Sequence, residues 1–476
     1  MKGFGFLGAS GGFGRSVAML ATGTAVSQLV GLIALPLLTR LYNPLEFGGA
    51  AVFAGIVGLI VVIASLRYEL AIPLPMRDGA AFHLVSIAFL SVISVSIAAG
   101  VAYFFASYFW EQNTGLSNEM FLFLLVIGTL TAGLYNVANY WAVRKKRFGV
   151  ISWTRIQQGI AGTGAQIAFG FAGAGVMGIV VGQIIGQCAG FSRLIVGLIR
   201  DRKNSKVGVF QPRRAAWAAK RYRRFPLYDS AASLLNVASS QAPILLFAAL
   251  FSPMLAGFYA LAVRLVSAPN GLVGKAISQV LLPRIVEARR SAETAKLVER
   301  LINILGWLSF MPFTIVALTA PEIVPTAFGS QWAPAASVIA WTSIWAAWQF
   351  VTSPLSTAMT GLEALRLHTV VQLVLFVLRV GAILIGAAVQ SEQVAIIAFT
   401  IASIVGYAVY LIAIGWVTEV SVKRIAMALV GPLALSVIGA SVALGVAEIS
   451  VIAKYSAIAA LLLIWLWRLN HIRKEV

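Results

Sequence analysis

Residues 17–38 read VAMLATGTAVSQLVGLIALPLL, twenty-two positions without a charge. About 20 apolar residues cross the hydrocarbon core of a bilayer as a helix. Lys2 and Arg15 precede the run. It is longer than the apolar region of a secretory signal, and similar runs come after it, so it reads as a first transmembrane helix rather than a cleaved leader.

Working outward, the same pattern recurs at 47–66, 81–107, 119–142, 151–172, 174–199, 228–251, 255–282, 298–321, 334–360, 367–389, 393–417, 425–447 and 451–467. The expectation is an all-α polytopic membrane protein of about fourteen transmembrane helices. Composition agrees: 60% of the 476 residues are hydrophobic and 11% are charged, against about 25% charged in soluble domains. A net charge of +20 would suggest nucleic acid in a soluble protein. Here it accords with the positive-inside rule. With the N-terminus cytoplasmic, the inner loops collect Arg77, Arg144-Lys145-Lys146-Arg147, the basic stretch 200–225, Arg284, Arg366, Lys423, Arg424 and the tail. The outer loops hold Glu46, Glu111, Glu119, Glu322, Glu392 and Glu448, with Arg40 as the exception. Both termini are expected inside, with no nucleic-acid partner.

The chain divides into a six-helix bundle (1–200), a basic linker (201–227), a second six-helix bundle (228–417) and two additional helices with a basic tail (418–476). Trp217, Tyr222 and Phe225 place the linker at headgroup level, against membrane lipids. An internal echo links the bundles. Pro44-x-x-x-Gly48 joins the first two helices, and Pro253-x-x-x-Gly257 joins the seventh and eighth. Two such corners at corresponding places point to repeats related by an axis along the membrane normal, a transporter architecture. Gly178, Gly182, Gly186 and Gly190 form a smooth stripe suited to close helix packing.

Catalysis finds no support. Only 16 Asp and Glu are present, and no close carboxylate pair lies in a plausible site. The Gly-rich stretch at 8–14 has no strand before it and so is not a dinucleotide fingerprint. One Cys and three scattered His give no metal constellation, and no cofactor is expected. The informative residues are cations within spans: Arg155, Arg264, Lys275 and Arg379. Such charges are tolerated in lipid mainly where they face a cavity or a partner. Arg264 and Lys275 are eleven residues apart, three turns of a continuous helix, and so share one face. Deep arginines without acids suit an anionic, phosphate-bearing ligand. Arg67, Tyr68 and Glu69 sit at the inner end of the second helix. At i and i+2 of a helix, Arg67 and Glu69 do not face each other. Glu69 and Asp229 are the candidate ion-coupling acids. Asn139, Tyr140, Gln157 and Gln241 are polar residues in spans, suited to interhelical bonds or, with Tyr68, to glycan contacts.

LPLLTRLYNP at 35–44, running on to Glu46-Phe47-Gly48, and LRYELAIPLP at 66–75 resemble signatures of the Wzx-type oligosaccharide flippases. These belong to the multidrug/oligosaccharidyl-lipid/polysaccharide exporter superfamily. Tyr140-Trp141 with Arg144, and Tyr222-Arg223-Arg224-Phe225-Pro226, fit as well. The resemblance implies a bacterial inner-membrane flippase for undecaprenyl-pyrophosphate-linked oligosaccharide, as used in O-antigen, lipopolysaccharide and other polysaccharide biosynthesis. It implies two six-helix bundles around a cationic cavity, alternating access, and neighbouring glycosyltransferases and a polymerase. Of the site residues, Arg67 and Glu69 fall within the family motif. An ion-coupled multidrug exporter would want embedded acids, which the charge sign disfavours. A membrane glycosyltransferase or polymerase would want catalytic acids or a large outer loop.

Overall fold

The computed structural model describes residues 13–108, 114–204, 211–288, 291–447 and 450–475. Residues 205–210 of the linker, the Gly-rich start at 8–12, Glu111, Arg289, Arg290, Glu448 and the Lys275 side chain lie outside the described residues. The described residues are helical throughout, with no strand among them. They form two compact units that divide after Gly257.

The first unit opens with α1 (Phe13–Ile33) and α2 (Leu35–Leu41), bent by 42° where Pro36 enters α2. Next come α3 (Pro44–Ala64), α4 (Asp78–Ala106), α5 (Asn118–Arg144), α6 (Phe148–Phe171), α7 (Gly175–Cys188) and α8 (Phe191–Asn204). The short α9 (Pro212–Arg221) is succeeded by α10 (Ser230–Leu250) and α11 (Pro253–Pro269), which runs across the division. α3 starts on a capping box: Asn43 accepts from the Glu46 amide, and Glu46 accepts from the Asn43 amide at 2.8 Å. Its core face packs Ala50, Phe53 and Val57 against Phe121, Leu125 and Val180, with the Phe53 and Phe121 rings edge to face at 5.4 Å.

Three glycines of the stripe, Gly178, Gly182 and Gly186, line α7, while Gly190 falls beyond its end in a left-handed break before α8. Gly182 lies on Gln166 and Gly186 on Gly162, so a Cβ at Gly186 would come within 2.8 Å of the Gly162 Cα. This is how α6 and α7 pack so closely. The two Pro-x-x-x-Gly corners meet each other. A Cβ on Gly48 would collide with the Pro253 carbonyl oxygen, and a Cβ on Gly257 with that of Pro44. The contact is reciprocal, as a twofold relation between repeats requires.

The second unit contains α12 (Lys275–Ala288), α13 (Ala292–Phe328), α14 (Ala335–Leu355), α15 (Thr357–Gly361), α16 (Leu365–Ala388), α17 (Glu392–Thr418), α18 (Val422–Ala447) and α19 (Val451–Glu475). Within it, α13 packs on α14 and α18, and α16 on α17. Lys454, near the start of α19, is buried and meets Glu322 of α13 at 2.5 Å. Neutralised in this way, a charge that weakens a span in sequence becomes a tie between two helices.

Among the described residues ten helices are long and apolar enough to cross a membrane, or eleven with α1 and α2 as one span. That is fewer than about fourteen, for reasons visible in the residues. α6 carries Arg155, Gln157, Gln158 and Gln166, and α14 is rich in Trp, Ser and Thr. The eighth span, expected at 255–282, is interrupted. A π-helical turn at Asn270–Gly274, just after Pro269, separates α11 from α12. A π turn changes the angular register of the helix beyond it. The three-turn relation between Arg264 and Lys275 therefore does not hold.

Candidate substrate-translocation site

A cluster of three ions in the first unit is built on an irregular backbone. α3 ends at Ala64, and Leu66 and Arg67 both take left-handed conformations, with φ of 50° and 59°. Side-chain-bearing residues rarely adopt this region, and it tends to cluster at functional sites. A 3₁₀ turn, Tyr68–Ala71, comes next. This path folds the Arg67 side chain back on its own neighbour: Arg67 Nη1 lies 3.4 Å from Glu69 Oε1. The expectation that i and i+2 face apart assumed a regular helix, and the left-handed pair removes that assumption.

Arg67 also reaches across to the π-helical turn Phe225–Asp229 that leads into α10, donating from Nε to Asp229 Oδ2 at 2.7 Å. Two carboxylates thus share one guanidinium, where the sequence offered no close carboxylate pair. Glu69 is buried, and its other oxygen accepts from the Ser65 hydroxyl. Burial holds the Glu69 carboxyl above the ordinary glutamate range. Ser65, the Glu69 backbone amide and Arg67 pull it down, while nearby Asp229 pushes it up. Asp229 is more open and also accepts from Ser233 at 3.3 Å. Tyr140 of α5 lies within electrostatic reach of all three ions. Tyr68 turns the other way: its ring is buried in the apolar cluster around Leu84 and Trp141, and its hydroxyl donates to the Ala219 carbonyl of α9 at 3.3 Å.

The other polar candidates of this unit are dispersed. Arg155 lies over the Tyr135 ring at 5.5 Å, with no ion pair among the described residues. Asn139 Oδ1 and Gln157 Oε1 are buried acceptors without a hydrogen-bond donor among the described residues. An unmade bond of this kind costs about 1–3 kcal/mol. Gln241 of α10 sits over Gly55 and Gly58 of α3, where its amide packs against the helix.

In the second unit, Arg379 of α16 is buried and enclosed. It donates to Ser403 Oγ at 3.0 Å and to the Tyr407 hydroxyl at 3.1 Å, both on α17. Trp345, Tyr407 and Phe399 surround its guanidinium at 5.0, 5.1 and 5.4 Å, a cation–π box without a carboxylate among the described residues. Tyr259 of α11 stacks edge to face on Phe399, extending the box. Arg264, also on α11, is half-buried and has no ionic or hydrogen-bond partner among the described residues.

Residues 37–337 match the polysaccharide biosynthesis protein family. The chain belongs to this family. The stretch takes in nearly all of the signature at 35–48 and the whole of that at 66–75, and bears out the resemblance drawn from them. No curated protein matches. Among solved structures, the chain is similar to lipid II flippase MurJ in an inward closed conformation, at 12% identity over 94% of this chain and 98% of that one, with a TM-score of 0.69. It is also similar to a MATE-family multidrug resistance transporter of the MOP superfamily in an inward-facing conformation, at 18% identity over 86% and 96%, with a TM-score of 0.54. A third is the MATE multidrug transporter DinF-BH, at 14% identity over 86% and 96%, with a TM-score of 0.56. At these identities the likeness is one of fold. The chain is thus a multi-pass membrane protein whose fold is shared with a flippase and with multidrug transporters.

The positioning role of Arg144, named above only as a loop charge and a motif residue, escaped the sequence reading. Arg144 donates to the carbonyls of Ile72, Pro73 and Pro75 and to Asp78, pinning the loop that leaves the Arg67 turn. The proline-interrupted stretch 72–75, which leaves carbonyls without helical donors, was the available signal, but inside a basic loop Arg144 reads as a topology determinant.

Proposed function

We propose that the protein translocates undecaprenyl-pyrophosphate-linked oligosaccharide across the bacterial inner membrane by alternating access. The observation that carries this reading is an imbalance among charges. Glu69 and Asp229 are tied to Arg67, Glu322 to Lys454, and Asp78 to Arg144 and Lys145. Arg264 has no such tie among the described residues. An apolar-helix protein that matches its acids and leaves an arginine over is prepared for an anion. Each of these carboxylates already has a cationic partner, so none stands free for an organic cation.

In this reading Arg264 meets the pyrophosphate, and Arg67, Arg155, Lys275 and Arg379 are further candidate substrate-binding cations, each within its own unit. Asn139, Gln157 and Tyr140 offer groups to sugar hydroxyls. Glu69 and Asp229 hold Arg67 in the absence of substrate and take part in ion coupling. The two six-helix bundles are residues 1–200 and 228–417, joined by the 201–227 linker. Both termini are cytoplasmic, and a polymerase and glycosyltransferases act beside it in O-antigen or lipopolysaccharide synthesis.

The test is complementation of a flippase-null strain. Wild type restores surface glycan; Arg264→Ala at equal membrane abundance does not, and Arg264→Lys restores part, supplying the charge without the fork. Normal glycan from Arg264→Ala would sink the reading.

A further inference from the structure

A second cationic site lies away from Arg67, among α5, α6 and α8. A cavity of about 550 Å³ is lined by Trp141, Arg147, Arg193, Gly197, Arg200 and Asp201, with apolar neighbours on α6 and α8. Arg147, which precedes α6, donates to Asp201 Oδ1 at 2.6 Å, and Trp141 Nε1 donates to the other oxygen at 3.0 Å. Asp201 is buried, so this arrangement fixes where the Arg147 guanidinium stands. Gly197 makes room for it: a Cβ there would come 2.7 Å from Arg147 Nη1. Arg193 and Arg200 are two turns apart on α8 and flank Gly197. Both are exposed and have no ion-pair partner among the described residues; Arg193 rests on the Trp153 ring at 5.9 Å. Three cations thus surround one acid that Arg147 already satisfies. Val196 is exposed in the lining, and Ile199 on α8 and Trp153, beneath Arg193, are exposed nearby.

We infer that this pocket binds the phosphodiester headgroup of an anionic phospholipid. Basic pockets between transmembrane helices on the positively charged side of a membrane protein take such headgroups. Arg193 and Arg200 supply the forked donors that phosphate oxygens match. The exposed Val196, Ile199 and Trp153 lie where acyl chains would run, which a soluble phosphate compound would not use. The site is separate from the Arg67 cluster and does not depend on the translocation reading.

The experiment is lipid retention by the full-length protein, reconstituted in phosphatidylcholine nanodiscs doped with phosphatidylglycerol and read by native mass spectrometry. Wild type is expected to keep phosphatidylglycerol in preference to phosphatidylcholine. The double variant Arg193→Gln/Arg200→Gln, at exposed positions that leave the fold intact, should lose that retention by roughly tenfold or more. Gly197→Leu, which keeps all three cations but displaces Arg147, should lose it as well. Lys203→Gln, an exposed cation outside the pocket, should not. Retention unchanged in the double variant would overturn the inference. So would equal retention of phosphatidylcholine, or full displacement of phosphatidylglycerol by inorganic phosphate alone.

Discussion

Arg67 and Arg379 are both withdrawn from water inside helical units, and they are accommodated in opposite ways. Arg67 lies between two carboxylates on a left-handed turn, with Ser65 and Ser233 bonding the acids in turn. Arg379 lies in a regular helix, among three aromatic rings and two hydroxyls, with no acid in contact among the described residues. The first arrangement is a set of formal charges that depend on one another. The second is a cation solvated by quadrupoles and neutral dipoles. Removing the cation leaves uncompensated charge in one place and only unpaired hydroxyls in the other.

Replacing each arginine by methionine is the sharpest way to break this contrast. Arg67→Met strands Glu69 and Asp229 together. A fully buried pair broken in this way costs about 3–5 kcal/mol, and because Asp229 reaches solvent we expect about 2–3 kcal/mol here. Chemical denaturation in detergent measures it, and glycan complementation should fail. Arg379→Met should cost less, about 1–2 kcal/mol, from the lost cation–π contacts and the orphaned Ser403 and Tyr407 hydroxyls. Equal losses would erase the distinction.

A finer test uses pH. Burial raises the Glu69 carboxyl from its ordinary value of 4.5. Between that value and the raised one, the folded state binds more protons than the unfolded state, so stability falls as pH rises through the window and then levels off. Glu69→Gln should flatten this fall in melting curves taken from pH 4 upward, while Arg379→Met should leave it in place. A slope unchanged in Glu69→Gln would assign the titration to another group. The same variant tests coupling: transport driven by an imposed pH gradient should weaken. The smallest effect is expected from Tyr407→Phe, which keeps the ring over Arg379 and removes one hydrogen bond, at about 1 kcal/mol.

Much of the fold is readable in the chain because lipid imposes a long apolar period. The run at 17–38 is helical, though bent between α1 and α2, the twin Pro-x-x-x-Gly corners meet, and three of the four stripe glycines line α7. The misreadings fall where the backbone leaves the regular helix. A left-handed pair at Leu66–Arg67 turns an i, i+2 separation into a contact. A π turn at 270–274 unlocks Arg264 from Lys275. The helices expected at 151–172 and 334–360 are present as α6 and α14, though their polar and Trp-rich faces keep them less apolar than the other spans. At the site, Glu69 and Asp229 are 160 residues apart in sequence, so their common partner could not be seen. Part of the Arg379 box is a local pattern, since Phe399, Ser403 and Tyr407 stand four apart on one helix face, although the pattern alone does not mark a cation partner. Trp345, on α14, lies outside that pattern, because nothing local ties it to Arg379.

The two corners carry one more consequence. Each glycine opposes the other corner's proline carbonyl, so Gly48 and Gly257 are a single steric position shared by two places in the chain. A methyl on either must push the two backbones apart. Once they are apart, a methyl on the other finds the space already made. The penalties for Gly48→Ala and Gly257→Ala should therefore fall short of their sum in the double variant. By that measure the corners form one thermodynamic unit, although more than two hundred residues separate them.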